Sequence, residues 1–279
     1  MTAMRASFIE RAATLPEPPR TYSQATVLVG GAVLVTWLAG LGILEVTPGR
    51  IFAGLGRLGD IATQMFPPSP GGSEHFWIYL GALGQTLAIA FLGTAVACVF
   101  ALPMGFLAAR NVVTGRILHF LTRRSLDTIR SVDTLVWALI WINVVGLGPF
   151  AGALAIACTD FGALAKLMSE AIETADQGPV EGVIAAGGTG FDRIRFGLLP
   201  QVLPVVAGQA LYYFESNTRS ATIIGIVGAG GIGLYLSEMI RVLEWQEASF
   251  LILMVLVTVA IIDAISRRLR AAIMGTPRG

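Results

Sequence analysis

Six stretches of the chain are apolar over a length that suits a bilayer, and short polar or glycine-rich segments separate them. They are Thr26 to Leu44, a run within Phe76 to Ala109, Val132 to Val145, Phe150 to Leu167, Val202 to Ile226, and Phe250 to Ile265. A helix needs roughly 20 apolar residues to cross a hydrocarbon core of about 30 Å. The pattern therefore predicts an all-α, polytopic integral membrane protein with about six transmembrane helices. The second stretch is longer than one crossing needs, which predicts a tilt or a surface start carrying Trp77 and Tyr79. Its small residues at four-residue spacing, Gly84/Ala88 and Gly93/Ala97/Ala101, predict close approach of a neighbouring helix. Only Gly146, Leu147, Gly148 and Pro149 separate the third and fourth stretches, so a helical hairpin is expected there. The fifth stretch is interrupted by the polar patch Glu215, Ser216, Asn217, Thr218, Arg219, Ser220.

Composition agrees with this reading: 54% of the 279 residues are hydrophobic and 13% charged, with mean hydropathy +0.72. A formal net charge of +1 gives no basis for nucleic-acid binding. The distribution of charge is more informative. With the N-terminus in the cytoplasm and six alternating crossings, fifteen basic residues fall inside and three, Arg50, Arg57 and Arg241, fall outside. That bias predicts cytoplasmic termini and a cytoplasmic segment between the fourth and fifth crossings. The expected organisation is a cytoplasmic tail over 1–25, a first helix over 26–44 with no signal-peptide cleavage site, and a periplasmic loop over 45–75. A core over 76–266 and a cytoplasmic tail over 267–279 complete it.

Several chemistries are excluded. Lys166 is the only lysine among 19 basic residues, and Leu167 follows it, so no phosphate-binding loop with Lys-Ser/Thr exists. Cys98, Cys158, His75 and His119 are isolated and read as packing or surface residues, not metal ligands or nucleophiles. An intramembrane enzyme would need paired Asp, a Ser/His pair or an H-E-x-x-H helix, and none is present. Gly228-Ala229-Gly230-Gly231-Ile232-Gly233 matches the dinucleotide fingerprint G-x-G-x-x-G, but its context is another apolar span, not alternating strands and helices. In a membrane reading, Gly228, Gly230, Gly231 and Gly233 make a non-helical bend near the outer face, a candidate part of a gate. A secondary transporter also uses broken helices and buried charge, although no two-half repeat is visible here.

The segment 170–200 is long, moderately charged and patterned. Gly178 and Pro179 followed by Glu181 predict a helix start, with Val180, Val183 and Ile184 on one face. Gly187 and Gly188 end it, and Phe191, Ile194 and Arg195 begin a second short amphipathic turn ahead of Leu199 and Pro200. Two short helices hinged at a glycine make an exposed apolar knob that asks for a protein partner. A helix lying on the membrane surface would carry a basic polar face, which is lacking.

The order Glu181-Gly182-Val183, three residues, Gly187, nine residues, Gly197, one residue, Leu199-Pro200 resembles the EAA signature of ABC importer permeases. Gly182 and Val183 replace its two alanines, and Gly197 replaces its isoleucine. The flanking segments Leu102 to Asn111, Val145 to Gly152, Phe214 to Ala221 and Gly225 to Gly233 are similar to the phosphonate, phosphite and hypophosphite branch of that family. The resemblance implies the type I ABC importer permease (MetI-like) fold in a bacterial inner membrane. It implies a separate ATPase docked on 170–200 through Glu181, Val183, Ile184, Gly187, Phe191, Leu199 and Pro200. No cofactor belongs to this chain on that reading, since ATP and Mg are bound by the ATPase. A second permease copy or a similar permease, a periplasmic substrate-binding protein and the lipid bilayer are the other implied partners.

Glu215 and Arg219 lie four apart, the favourable order for an intrahelical pair. A charge in a bilayer costs at least about 2.5 to 3.5 kcal/mol, so the patch has a purpose. It either neutralises itself and holds helices together, or Glu215, Asn217, Arg219, Ser220 and Thr222 line the substrate pathway and give an oxyanion a transient donor-rich surface. Asp160 and Asp263 read as packing or end-of-span groups.

Overall fold

The computed structural model describes residues 24–112 and 115–274. Arg5, Arg11 and Arg20 of the expected N-terminal tail, and Arg278, lie outside them. The chain divides between Ala62 and Thr63.

In the first unit, α1 (Gln24–Ile43) is a 20-residue apolar helix without buried residues. The stretch 45–75, read from the sequence as a loop, holds a second helix, α2 (Pro48–Gln64). Its apolar residues Ile51, Leu55 and Leu58 recur at helical spacing on a stretch too polar to span. Arg50 pairs with Glu45 at 2.7 Å ahead of it.

The second unit is a bundle. Its longest helix, α3 (Ser73–Ala108), has 36 residues and extends about 54 Å, well beyond one crossing. After it come α4 (Arg116–Arg130) and α5 (Thr134–Val145), whose axes meet at 87°. The run Val132 to Val145 is thus not a full span: α5 has 12 residues, about 18 Å, and a third crossing exists only if α4 and α5 form one broken span. The break is set at Asp133, whose carboxylate accepts the Leu135 amide at 2.8 Å and starts a new helix. Among the described residues, five helices are long and apolar enough to cross a membrane, six with the broken pair.

The hairpin expected at 146–149 is present, with Gly146 at φ +91° and Gly148 at φ +141°, and α6 (Pro149–Glu173) begins on the proline. Helices α3 and α6 pack where Gly93 meets Ile156 and Gly105 meets Met168, each too close to admit a methyl group. Gly93, Ala97 and Ala101 thus serve the predicted close approach, whereas Gly84 and Ala88 are exposed.

Then come α7 (Gln177–Ala185), the single turn α8 (Gly190–Asp192), α9 (Leu199–Ile224), α10 (Ile232–Arg241) and α11 (Trp245–Met274). The polar patch does not break α9, which runs through Glu215 to Ser220 without interruption. Arg267, Arg268 and Arg270, expected in a tail, are part of α11.

Candidate functional site

The chain between α6 and α9 forms the knob. Asp176, not Gly178, caps α7: its carboxylate accepts the Gly178 amide at 3.0 Å, and the helix starts at Gln177 with Pro179 in the first turn, where no amide partner is needed. The expected apolar face divides. Val180 is buried among Met168, Ile172, Leu198 and Val202, Val183 is half-buried, and Ile184 is exposed. Gly197 makes the inner contact possible, because a Cβ there would stand 3.0 Å from the Val180 Cα. The Gln201 side chain accepts the Asp176 amide at 3.0 Å and donates to the Asp176 carbonyl at 3.0 Å and the Gly197 carbonyl at 2.8 Å. These contacts fix α7 to the start of α9.

Gly187, at φ +81°, ends α7, and the Gly188 amide returns to the Val183 carbonyl at 3.0 Å. A capping box between Thr189 and Asp192 starts α8. The chain beyond Asp192 does not form a separate second helix. A widened π-helical turn over Arg193–Leu198 joins α8 directly to α9. Pro200 has no N–H to return to the 196 carbonyl, and the widened turn lies over that stretch. Ile184, 48% exposed, and Phe191, 68% exposed, stand outward with Glu181 and Gly187. Leu199 is half-buried and Pro200 exposed.

On α9 the five polar residues do not share one surface. Glu215, Asn217 and Thr222 are buried in the bundle, Ser220 is half-buried and bonds the Ser216 carbonyl at 3.4 Å, and the Arg219 side chain is 49% exposed. Asn217 donates to Thr94 Oγ1 at 2.8 Å and to the Asp160 carboxylate, which ties α9 to α3 and α6. Glu215 accepts from Arg270 Nη2 of α11 at 3.0 Å and lies 3.7 Å from Arg219. Arg219 sits in an exposed stripe with Val205, Tyr212, Ile223 and Ile226, whose spacing keeps them on one side of the helix. Sequence spacing missed Arg270, because its run of arginines resembles the end of a span. It also undervalued Asp160, whose partner is 57 residues away.

Beyond α9 the backbone leaves the helix at Gly228, φ +103°, and stays irregular through Gly230 and Gly231 at φ +81° and +75°. Its amides find partners inside the protein. Gly231 N donates to Gln85 Oε1 and Ile232 N to Thr86 Oγ1, each at 2.8 Å, and the Gly228 carbonyl accepts from Gly148 N at 3.0 Å. A Cβ on Gly233 would lie 1.9 Å from the Thr222 carbonyl oxygen. The bend is thereby sealed against α3, α9 and the hairpin, as irregular backbone at membrane depth requires.

Comparison with known proteins accords with this architecture. The phosphite transport system permease protein PtxC of Stutzerimonas stutzeri is 37% identical over 90% of this chain and 89% of its own length. The phosphate-import permease protein PhnE of Mycolicibacterium smegmatis is 36% identical over 89% of this chain and 45% of its own. A chain of the MetNI methionine ABC transporter, solved in inward-facing conformations, superposes with a TM-score of 0.64 at 20% identity, covering 72% of this chain and 99% of that one. The profile of the binding-protein-dependent transport system inner membrane component matches residues 101–274. With α4 to α11 and the C-terminal end of α3 falling in that match, the chain belongs to the binding-protein-dependent transport system inner membrane component family and is an ABC transporter permease subunit.

Proposed function

We propose that this permease carries a phosphorus oxyanion, a phosphonate, phosphite or hypophosphite, into the cell, driven by a separate ATPase docked on the 170–200 knob. The observation that carries the coupling role is the knob itself: Ile184 and Phe191 stand exposed on an element fixed to α9 through Gln201 and Val180. Because α8 runs into α9 through a continuous helical stretch, displacement of the knob by a partner is transmitted to Arg219. Likeness to a phosphite permease over nine-tenths of the chain supports the substrate class.

On this reading ATP and Mg are bound by the ATPase and not by this chain. The bias of basic residues supports a cytoplasmic position for the knob and both termini at a bacterial inner membrane. The exposed stripe of Val205, Tyr212, Arg219, Ile223 and Ile226 would face a second copy or a similar permease across the pathway, with Arg219 and Ser220 giving the anion weak contacts suited to conduction. The Asn217 amide, committed to Thr94 and Asp160, is structural instead. The glycine bend would gate the outer end, where a substrate-binding protein delivers its load.

The test is uptake into vesicles holding the complete complex and its binding protein, with each oxyanion in turn, beside co-purification of the ATPase. Uptake of one or more of the three oxyanions, with ATPase retention lost in Phe191→Asp, is expected. An intact chain that retains no ATPase overturns the proposal.

A further inference from the structure

Glu215 stands between two guanidiniums, Arg270 at 3.0 Å and Arg219 at 3.7 Å. This part of the contact between α9 and α11 therefore carries one more positive charge than negative. In a membrane span such an excess is costly and is relieved by an anion. Arg270 is the more deeply placed of the two cations. Its Nη2 is bound to Glu215, and its Nη1 is buried without an acceptor among the described residues. A guanidinium offers five donors and no acceptor, so only an acceptor-rich group completes it.

Arg270 also lines a cavity of about 360 Å³ together with Val205, Gly208, Gln209 and Tyr212. That volume falls within the roughly 300–1,000 Å³ of small-ligand sites. Gly208 is buried and has no side chain to fill the space. The Gln209 amide and the Tyr212 hydroxyl make no hydrogen bond to any described residue. A forked cation with one terminal nitrogen held by Glu215, a primary amide and a phenol are donors suited to a tetrahedral oxyanion.

We infer that the cavity between α9 and α11 binds a phosphorus oxyanion through Arg270, Gln209 and Tyr212. The oxyanion is either free in solution or the headgroup phosphate of a lipid whose chains follow the apolar side of the cavity. For a free anion the choice of phosphorus rests on the substrate class proposed above; a lipid phosphate satisfies the same donors without it.

Two arms on the purified full-length chain separate the sources. Sodium phosphite is titrated at constant ionic strength and read by thermal unfolding. Phosphatidylglycerol and phosphatidylcholine are offered in equal amounts and read by native mass spectrometry. A rise in unfolding temperature with phosphite marks a free-anion site; retention of phosphatidylglycerol over phosphatidylcholine marks a headgroup site. In either arm, Gln209→Ala combined with Tyr212→Phe is expected to weaken binding at least about tenfold, since two donors to the anion are removed and one such bond alone is worth about that much. Arg270→Lys, which keeps the charge beside Glu215 but loses the fork, is expected to weaken it further. Neither the Gln209 amide nor the Tyr212 hydroxyl bonds another described residue, so the double variant without ligand should unfold as the parent does. Binding of neither probe, or binding undiminished in the double variant, overturns the inference. ATPase co-purification is unaffected by either result, so this site and the proposed coupling fail separately.

Discussion

Arg270 of α11 donates to Glu215 of α9 at 3.0 Å, whereas Arg219, one turn along from Glu215, approaches only to 3.7 Å. The distant partner is also the better buried, with side-chain exposure of 19% against 49%. Arg270 is therefore the counter-charge that fixes Glu215, and Arg219 is the cation free to act elsewhere. Glu215→Ala leaves Arg270 buried without a carboxylate and is expected to cost about 3–5 kcal/mol of stability. Arg219→Ala leaves the stronger pair intact, so its unfolding should stay within about 0.5 kcal/mol of the parent while uptake slows. Thermal unfolding and vesicle uptake on the same preparations check both; equal destabilisation by the two variants would reverse the assignment.

Asn217 holds Asp160 and Thr94 at once, and the Thr94 hydroxyl donates to the Ala90 carbonyl at 2.8 Å. The cluster is closed: every donor has an acceptor, and three helices meet on one amide. Asn217→Leu strips the donor from a buried carboxylate and should cost about 1–3 kcal/mol. Replacing Asp160 as well, with Asn217→Leu and Asp160→Leu together, removes the orphan and should recover most of that loss. A double-mutant cycle by denaturant or thermal unfolding checks it; additive losses would mean that the two side chains are not coupled.

The apolar runs located the helices because a bilayer demands length and hydrophobicity that a sequence displays openly. They were less informative where a helix is short or amphipathic. The Asp133 cap splits the third run from α4, and α2 lies on a stretch too polar to suggest a span. At the polar patch, helical spacing predicted Glu215 with Arg219, and the pair is there, but its stronger partner is 55 residues away. Local periodicity reports which residues share a face of one helix. It cannot report which helix packs on that face, and Arg270, Asp160 and Gln201 all act across such contacts.

The glycine bend distinguishes required glycines from tolerated ones. A methyl group on Gly233 would meet the Thr222 carbonyl oxygen at 1.9 Å, and on Gly231, already at φ +75°, would meet Thr86 Oγ1 at 2.4 Å. Gly84 has nothing within 4 Å and lies inside helix α3. Gly233→Ala should therefore lower the yield of folded chain sharply, because the contact is with backbone. Gly84→Ala should be neutral or stabilising by up to about 1 kcal/mol. Yield of monodisperse protein and its unfolding temperature compare the two, and a well-folded Gly233→Ala chain would show that the bend tolerates displacement.

Gly197 stands where the EAA signature carries isoleucine, and its surroundings account for the change. A Cβ at this position would lie 3.0 Å from Val180 Cα and 3.0 Å from Val180 Cγ2. Gly197→Ile, which restores the signature residue, should therefore force α7 away from α9 and cost about 1–3 kcal/mol by overpacking. Trimming Val180 to Ala should not cure it, since one of the two nearest atoms is backbone. The consequence for coupling differs from that of a surface change: Phe191→Asp should leave unfolding unchanged and reduce only ATPase retention, whereas Gly197→Ile should reduce both. Rescue of Gly197→Ile by Val180→Ala, in unfolding temperature and in co-purified ATPase, would show that α7 is held by side-chain packing alone and not by the close backbone approach.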